Sequence, residues 1–256
     1  MFTEELILKL CLVCPLLFAA GVIDGISGGG GIIALPSYLM AGLPPNVAYG
    51  CNKMQSCLGT SASLFRYARS GYLDVRAALP TAIAAMLGSF LATRVMLILP
   101  NTAIKAMIAV FMIFVITLTL LTSRLRSGTR QKIEGTARNF VICAMIGILL
   151  GLYDGFFGPG SSTVAMMLFT LIFGYDIRVG SGNSKLIVVL SNLSALINYI
   201  IEGKIRYEIA IPASIFNIGG SYLGAVLATK KGGRLIKRIM IAVVAVLLIQ
   251  VIFKFI

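Results

Sequence analysis

The chain contains no histidine, and only 12% of its 256 residues are charged. Without imidazole it lacks both the commonest metal ligand and the side chain that titrates nearest neutrality. The scarcity of charge excludes an ordinary soluble domain, in which about 25% of residues are charged. Five cysteines (Cys11, Cys14, Cys51, Cys57 and Cys143) form an odd set lying mostly inside apolar stretches. Cys11-x-x-Cys14 has no second pair and no histidine to complete a metal site, so these residues read as membrane-buried free thiols. The glycine-rich stretches lack the Gly-Lys-Ser/Thr ending of a nucleotide-phosphate loop. No nucleophile–base pair or metal-ligand cluster is apparent, so an enzyme is not expected, and neither is a cofactor or a metal. The start, Met-Phe-Thr-Glu4-Glu5, lacks the basic stretch of a cleaved signal peptide, so the first apolar run is expected to be a retained span.

What the chain does have is hydrophobicity: 58% of residues are apolar. Runs such as 102–123 and 235–256 are long enough for a bilayer core, which takes about 20 residues. The pattern predicts an all-α polytopic membrane protein whose immediate partner is the lipid bilayer. Roughly ten apolar segments are expected, at 6–25, 31–42, 47–66, 75–99 and 102–123, then 138–156, 162–174, 184–201, 206–229 and 234–255. This divides the chain into a first membrane repeat over 1–125, a basic cytoplasmic loop over 126–137 and a second membrane repeat over 138–256. The second segment of each half is only about half the length needed to cross.

The net charge of +13 gathers in short loops at 66–76, 123–138 and 230–238, as expected for cytoplasmic loops. It is not a sign of nucleic-acid binding. Placing all three loops on one side requires an odd number of crossings per half, hence inverted halves. Short segments that turn back without crossing would leave four spans per half and a parallel repeat. Inverted halves, each of about five hydrophobic segments with a short half-helix after a glycine-rich break, are the expectation.

The repeat is legible residue by residue. Gly21-Val-Ile-Asp24-Gly25-Ile-Ser-Gly28-Gly29-Gly30-Gly31 returns as Gly151-Leu-Tyr-Asp154-Gly155-Phe-Phe-Gly158-Pro159-Gly160-Ser161. Gly50-Cys-Asn52-Lys53 returns as Gly182-Asn183-Ser184-Lys185, and Gly71, Pro80 and Gly88-Ser89 return at Gly203, Pro212 and Gly220-Ser221. Glycine before a short helix lets a ligand approach bare amides at the helix N-terminus, a setting that suits an anion. The same glycines also suit close helix packing. Lys53 and Lys185, each at the start of an apolar segment beside Asn52 or Asn183-Ser184, would complete an anion basin. Alternatively, they snorkel or join internal ion pairs. The expected binding set is Gly28, Gly29, Gly30, Asn52, Lys53, Gln55, Gly158, Gly160, Ser161, Asn183, Ser184 and Lys185. Asp24 and Asp154 are the carboxylates inside apolar segments. They read either as structural partners of the two lysines or as proton-coupling groups. Ser56, Asn192, Ser194 and Asn198 either line a path or hydrogen-bond neighbouring helices.

These residues resemble the TauE/SafE, or sulfite exporter, family of membrane transporters over nearly the whole chain. The resemblance is carried by the glycine-rich break Ser27–Gly31, the short run Ile32–Ala41, Gly42-Leu-Pro-Pro45, Arg66-Tyr67 through Gly71, and Ala78-Leu-Pro80. It implies a plasma-membrane permease, in the bacterial inner membrane, that works without ATP hydrolysis and moves sulfite, sulfonates or related sulfur-containing organic anions. A homo-oligomer is compatible with this picture. A passive anion channel, or a permease for a non-sulfur substrate, would use the same glycines and lysines.

Overall fold

Apolar runs of this length satisfy their backbone hydrogen bonds internally by forming helix, which a bilayer interior demands. The computed structural model describes residues 4–100, 137–239 and 241–242. The expected segment 102–123, nearly all of the basic loop 126–137 and most of segment 234–255 lie outside the described residues. So does the boundary between the halves. Every regular element among the described residues is helical: α1 (Glu4–Ser27), α2 (Gly31–Met40), α3 (Pro45–Arg69), α4 (Val75–Ile98), α5 (Ala137–Phe156), α6 (Ser161–Ile172), α7 (Ile177–Ile201) and α8 (Tyr207–Lys231). Helix resumes at 233–239.

Five of these helices (α1, α4, α5, α7 and α8) are long and apolar enough to cross a membrane, so this is a multi-pass membrane protein. Helix α3 matches them in length, at 25 residues. It falls short in hydropathy because Asn52, Lys53, Gln55 and Ser56 interrupt it. The short segments appear as α2 and α6, of 10 and 12 residues.

Local sequence sets the helix ends. Pro45 occupies the first turn of α3, where its missing N–H costs nothing. Asp74 and Asp176 cap α4 and α7 by accepting from the amides of Arg76 (3.1 Å) and Arg178 (2.9 Å).

The long helices pack in close pairs made possible by small residues. Gly21 and Gly25 of α1 lie against Asn217 and Ser221 of α8, and Gly220 and Gly224 of α8 lie against Phe18 and Val22 of α1. On the other side Gly147, Gly151 and Gly155 of α5 lie against Thr81, Ala85 and Ser89 of α4. This is the small-xxx-small logic of helix association in lipid.

Helices α1 and α2 form a hairpin. Gly30, at its tip, abuts Ala20 and Asp24, while Tyr38 and Ala41 share an apolar cluster with Val13 and Leu17. Helices α5 and α6 form the second hairpin, closed at its tip by the Tyr153 hydroxyl donating to the Pro159 carbonyl at 2.6 Å. The open ends of the two hairpins lie at opposite ends of the bundle. Leu6 and Leu10, at the start of α1, share a cluster with Leu97, Leu99, Tyr199 and Ile205. Tyr175, just after α6, donates to Asp74 at 2.7 Å, and Arg178 donates to the Tyr72 hydroxyl at 2.8 Å. Ala228 and Ile236 join that second end through their cluster with Tyr67, Tyr72 and Ile177.

The basic loops 66–76 and 230–238 therefore share one end, together with Arg178. The other end mixes Glu4, Glu5, Arg94, Glu202, Lys204, Arg206 and Glu208. Sequence alone ties turning back to four spans per half. In the structure the long α1 returns through α2 and the long α5 through α6, so each hairpin adds no net crossing.

All five cysteines are free; Cys14, Cys51, Cys57 and Cys143 are buried in the bundle, and Cys11 lies on the outer face of α1, a helix apolar enough to cross the membrane. Arg94 is half-exposed, within 3.7 Å of Glu202 and over the Phe90 ring, as a snorkelling side chain is.

A Cβ at Gly151 would collide with the Ala85 carbonyl. Gly151→Val is expected to cost about 1–3 kcal/mol or more through overpacking, read as a lowered thermal midpoint of purified protein in detergent.

Candidate functional site

The hairpin tips meet inside the bundle. Both use left-handed glycines, Gly28 (φ 87°) and Gly158 (φ 85°), which let each chain reverse without side-chain strain. A Cβ on Gly28 would run into Ser162, and one on Gly31 would come within 2.9 Å of Pro159. The Thr163 hydroxyl donates to the Ser27 carbonyl at 2.8 Å, tying the tips together. Helices α2 and α6 thus begin at this junction, where the amides of Ile32, Ile33 and Ala34 donate to the Gly29 and Gly30 carbonyls and those of Ser161 and Val164 to the Gly158 and Gly160 carbonyls.

Helices α3 and α7 flank the junction and supply the lysines. Both lysines lie eight residues inside their helices rather than at the start, a depth of about 12 Å at 1.5 Å per residue. The sequence-based boundary of the second polar helix, 184, is seven residues late, because Ile177–Asn183 holds too few apolar residues to register as a span.

Neither ammonium snorkels. Lys53 Nζ donates to Asp154 Oδ2 at 2.9 Å, to the Asp154 carbonyl at 2.6 Å and to Asn192 Oδ1 at 2.9 Å. Lys185 Nζ donates to the Asp24 carbonyl, to Asp24 Oδ2 at 3.4 Å and to Ser162 Oγ at 3.1 Å. The side chains are 1% and 3% exposed in the Lys53–Asp154 pair and 0% and 12% in the Lys185–Asp24 pair, so both charges are held in a low-dielectric interior. Each pair joins a helix from one part of the chain to a hairpin tip from the other.

The carboxylates have further donors. Thr60 Oγ1 reaches Asp24 Oδ2 at 3.1 Å and Ser191 Oγ reaches Asp154 Oδ2 at 2.6 Å. Neither Thr60 nor Ser191 stands out in the sequence as a site residue. Their signal is their place about two turns beyond a lysine on the same helix.

A small polar cavity lies between the tips and the two polar helices. Of the expected binding residues it brings together Gly28, Asn52, Lys53, Gly158, Gly160 and Ser161, with Asp24 and Asp154 also on its wall. Gly31, Ser56, Ser162 and Asn192 line it as well, alongside one apolar residue, Val188.

Other expected residues do not line it. Gly29 accepts from the Ile32 amide, and Gly30 packs on α1. Gln55 Nε2 donates to Asn52 Oδ1 at 2.9 Å. Asn183 Oδ1 accepts from the Asp74 amide at 2.8 Å, clasping α7 to the 71–74 turn. Ser184 is bonded to Ser181 and Ser162. Lys185 lies behind Ser162. Ser194 and Asn198 serve packing, donating to the Ser191 and Phe90 carbonyls.

The sequence profile described as "Sulfite exporter TauE/SafE" matches residues 13–251. A "Probable membrane transporter protein ORF9" of Sinorhizobium sp is 30% identical, over 91% of this chain and 88% of that protein. A "Probable membrane transporter protein" of Haemophilus influenzae is 28% identical over 88% and 87% of the two chains. The "Probable membrane transporter protein YfcA" of Escherichia coli K12 is 25% identical over 93% and 91%. No solved structure matches the chain with significance.

Removing one partner of a buried ion pair leaves an uncompensated charge, at a cost of about 3–5 kcal/mol. Lys53→Met is therefore expected to destabilise the protein by about that much, and Lys53→Met with Asp154→Leu by clearly less. Denaturant titration of the purified variants in detergent measures both.

Proposed function

This chain belongs to the sulfite exporter TauE/SafE family of membrane transporters, and on that footing we propose that it is a secondary permease for a small anion: sulfite, a sulfonate or a related sulfur-containing organic anion. The observation that carries this reading is the cavity at the meeting of the hairpin tips, where Lys53 and the start of α6 turn toward one space. An ammonium beside the positive end of a helix makes a favourable setting for an oxyanion.

The cycle follows from the charges. With two lysines and two aspartates the empty interior is neutral. An entering anion competes with Asp154 for Lys53 and would leave one negative charge in excess at membrane depth, which is costly. A proton taken up by Asp154 or Asp24 restores neutrality, so anion and proton move together. The alternation of access comes from the halves acting as inverted repeats, each built of a hairpin followed by long helices, rocking about the shared site. The charge bias puts the end bearing Arg66, Arg69, Arg76 and the 230–238 loop in the cytoplasm. This orientation suits a bacterial inner membrane, with the bilayer, and a second copy in a homo-oligomer, as surroundings.

Proteoliposomes are expected to show saturable counterflow of radiolabelled sulfite, accelerated by an inward proton gradient. Non-saturable flux without counterflow would assign a channel instead, and counterflow supported only by carboxylates or phosphate would assign a non-sulfur substrate. For the orientation, Arg69→Cys is expected to react with a membrane-impermeant maleimide only after cells are opened, and Glu208→Cys in intact spheroplasts. The opposite pattern would reverse the topology.

A further inference from the structure

We infer that the two interior lysines are unequal, and that the anion is held on the Lys53 side by Lys53, Asn52 and Ser161, with Lys185 acting as a fixed clamp on the α1–α2 tip. The inference rests on the anion-permease reading and gives that site its ligand-facing donors.

The asymmetry lies in what the repeat does not copy. Asn52 is 4% exposed and lines the cavity. Its Oδ1 is occupied by Gln55 Nε2, which turns its Nδ2 donor to the cavity with no partner among the described residues. The counterpart 132 positions on is Ser184, whose hydroxyl is used within the protein by Ser181 and Ser162. Ser161, also 4% exposed and on the cavity wall, has no side-chain hydrogen bond among the described residues. Its counterpart in the first half, Gly31, has no side chain to offer. Lys53 Nζ borders the same space, close enough to Gly158 that a Cβ there would lie 3.3 Å from it. Lys185, fully buried, is screened from the cavity by the Ser162 hydroxyl to which it donates.

An amide N–H, a hydroxyl and an ammonium converging from α3 and α6 form a donor set for an oxyanion with several acceptor oxygens, as a sulfite or sulfonate group has. Among the described residues the mirrored elements, α7 and the start of α2, bring no equivalent unpaired donor to the cavity wall, so the ligand rests off-centre, nearer the end where α3 begins.

The test is thermal-shift titration of the purified full-length protein with sulfite, ethanesulfonate and sulfate against chloride at matched ionic strength. Neutral replacements keep both ion pairs and so separate binding from folding. Asn52→Ala and Ser161→Ala are expected to raise the apparent Kd for the stabilising anion about tenfold or more, since hydrogen bonds to charged groups are the stronger class. Asn52→Asp, which exchanges a donor for a negative charge at constant shape, is expected to abolish the shift. Ser184→Ala is expected to change the Kd less than threefold. Equal losses from Ser184→Ala and Asn52→Ala, or no loss from Asn52→Ala and Ser161→Ala, would overturn the inequality while leaving the permease standing. A wild-type protein stabilised by none of the three anions would overturn the anion reading itself, and this inference with it.

Discussion

An ammonium group cannot rest alone in the interior of a membrane protein, and the architecture is organised around that constraint. Lys53 and Lys185 each find a carboxylate on a hairpin tip that comes from the far part of the chain. Such pairs contribute little net stability, because desolvation offsets much of the Coulomb gain. Their effect is geometric. Each fixes the depth at which a hairpin tip stops and the rotation of the helix that faces it. With backbone carbonyls, Ser162 and Asn192 completing both ammonium shells, the tips and the polar helices can meet in few arrangements.

Close approach is the second requirement, and it explains where glycine is spent. The left-handed turns at Gly28 and Gly158 reverse the chain at the tips. Elsewhere glycine serves contact, bringing α1 onto α8 and α5 onto α4 at distances a larger residue would forbid. The hairpins can then enter from opposite ends of the bundle and touch, leaving a small polar cavity at the junction.

Much of this is legible in the residues themselves. The spelling of Asp24–Gly31 and Asp154–Ser161 announces two breaks before short helices, and the helices begin where the glycines end. A lysine inside an apolar run announces a buried partner, and the aspartates are the carboxylates available. Which aspartate serves which lysine is not legible, because that depends on how distant helices cross. The same limit applies to Thr60, Ser191 and Ser162, ordinary hydroxyls whose importance arises from what lies opposite. Asn183 misleads for the converse reason: its neighbour in sequence is a lysine, but its neighbour in space is the Asp74 amide. The path of the short helices is similarly a tertiary property, since segment length says that α2 does not span but not which way it faces.

The balanced pairing of the interior has an electrical corollary. Carrying one elementary charge through a potential of 100 mV involves about 2.3 kcal/mol of work. On the permease reading proposed above, a bundle whose buried lysines each travel with an aspartate does no such work when it reorients empty, so resting voltage neither drives nor stalls the return stroke. Any current through this protein then reports its cargo alone: a lone monoanion registers fully, and one accompanied by a proton registers as silence.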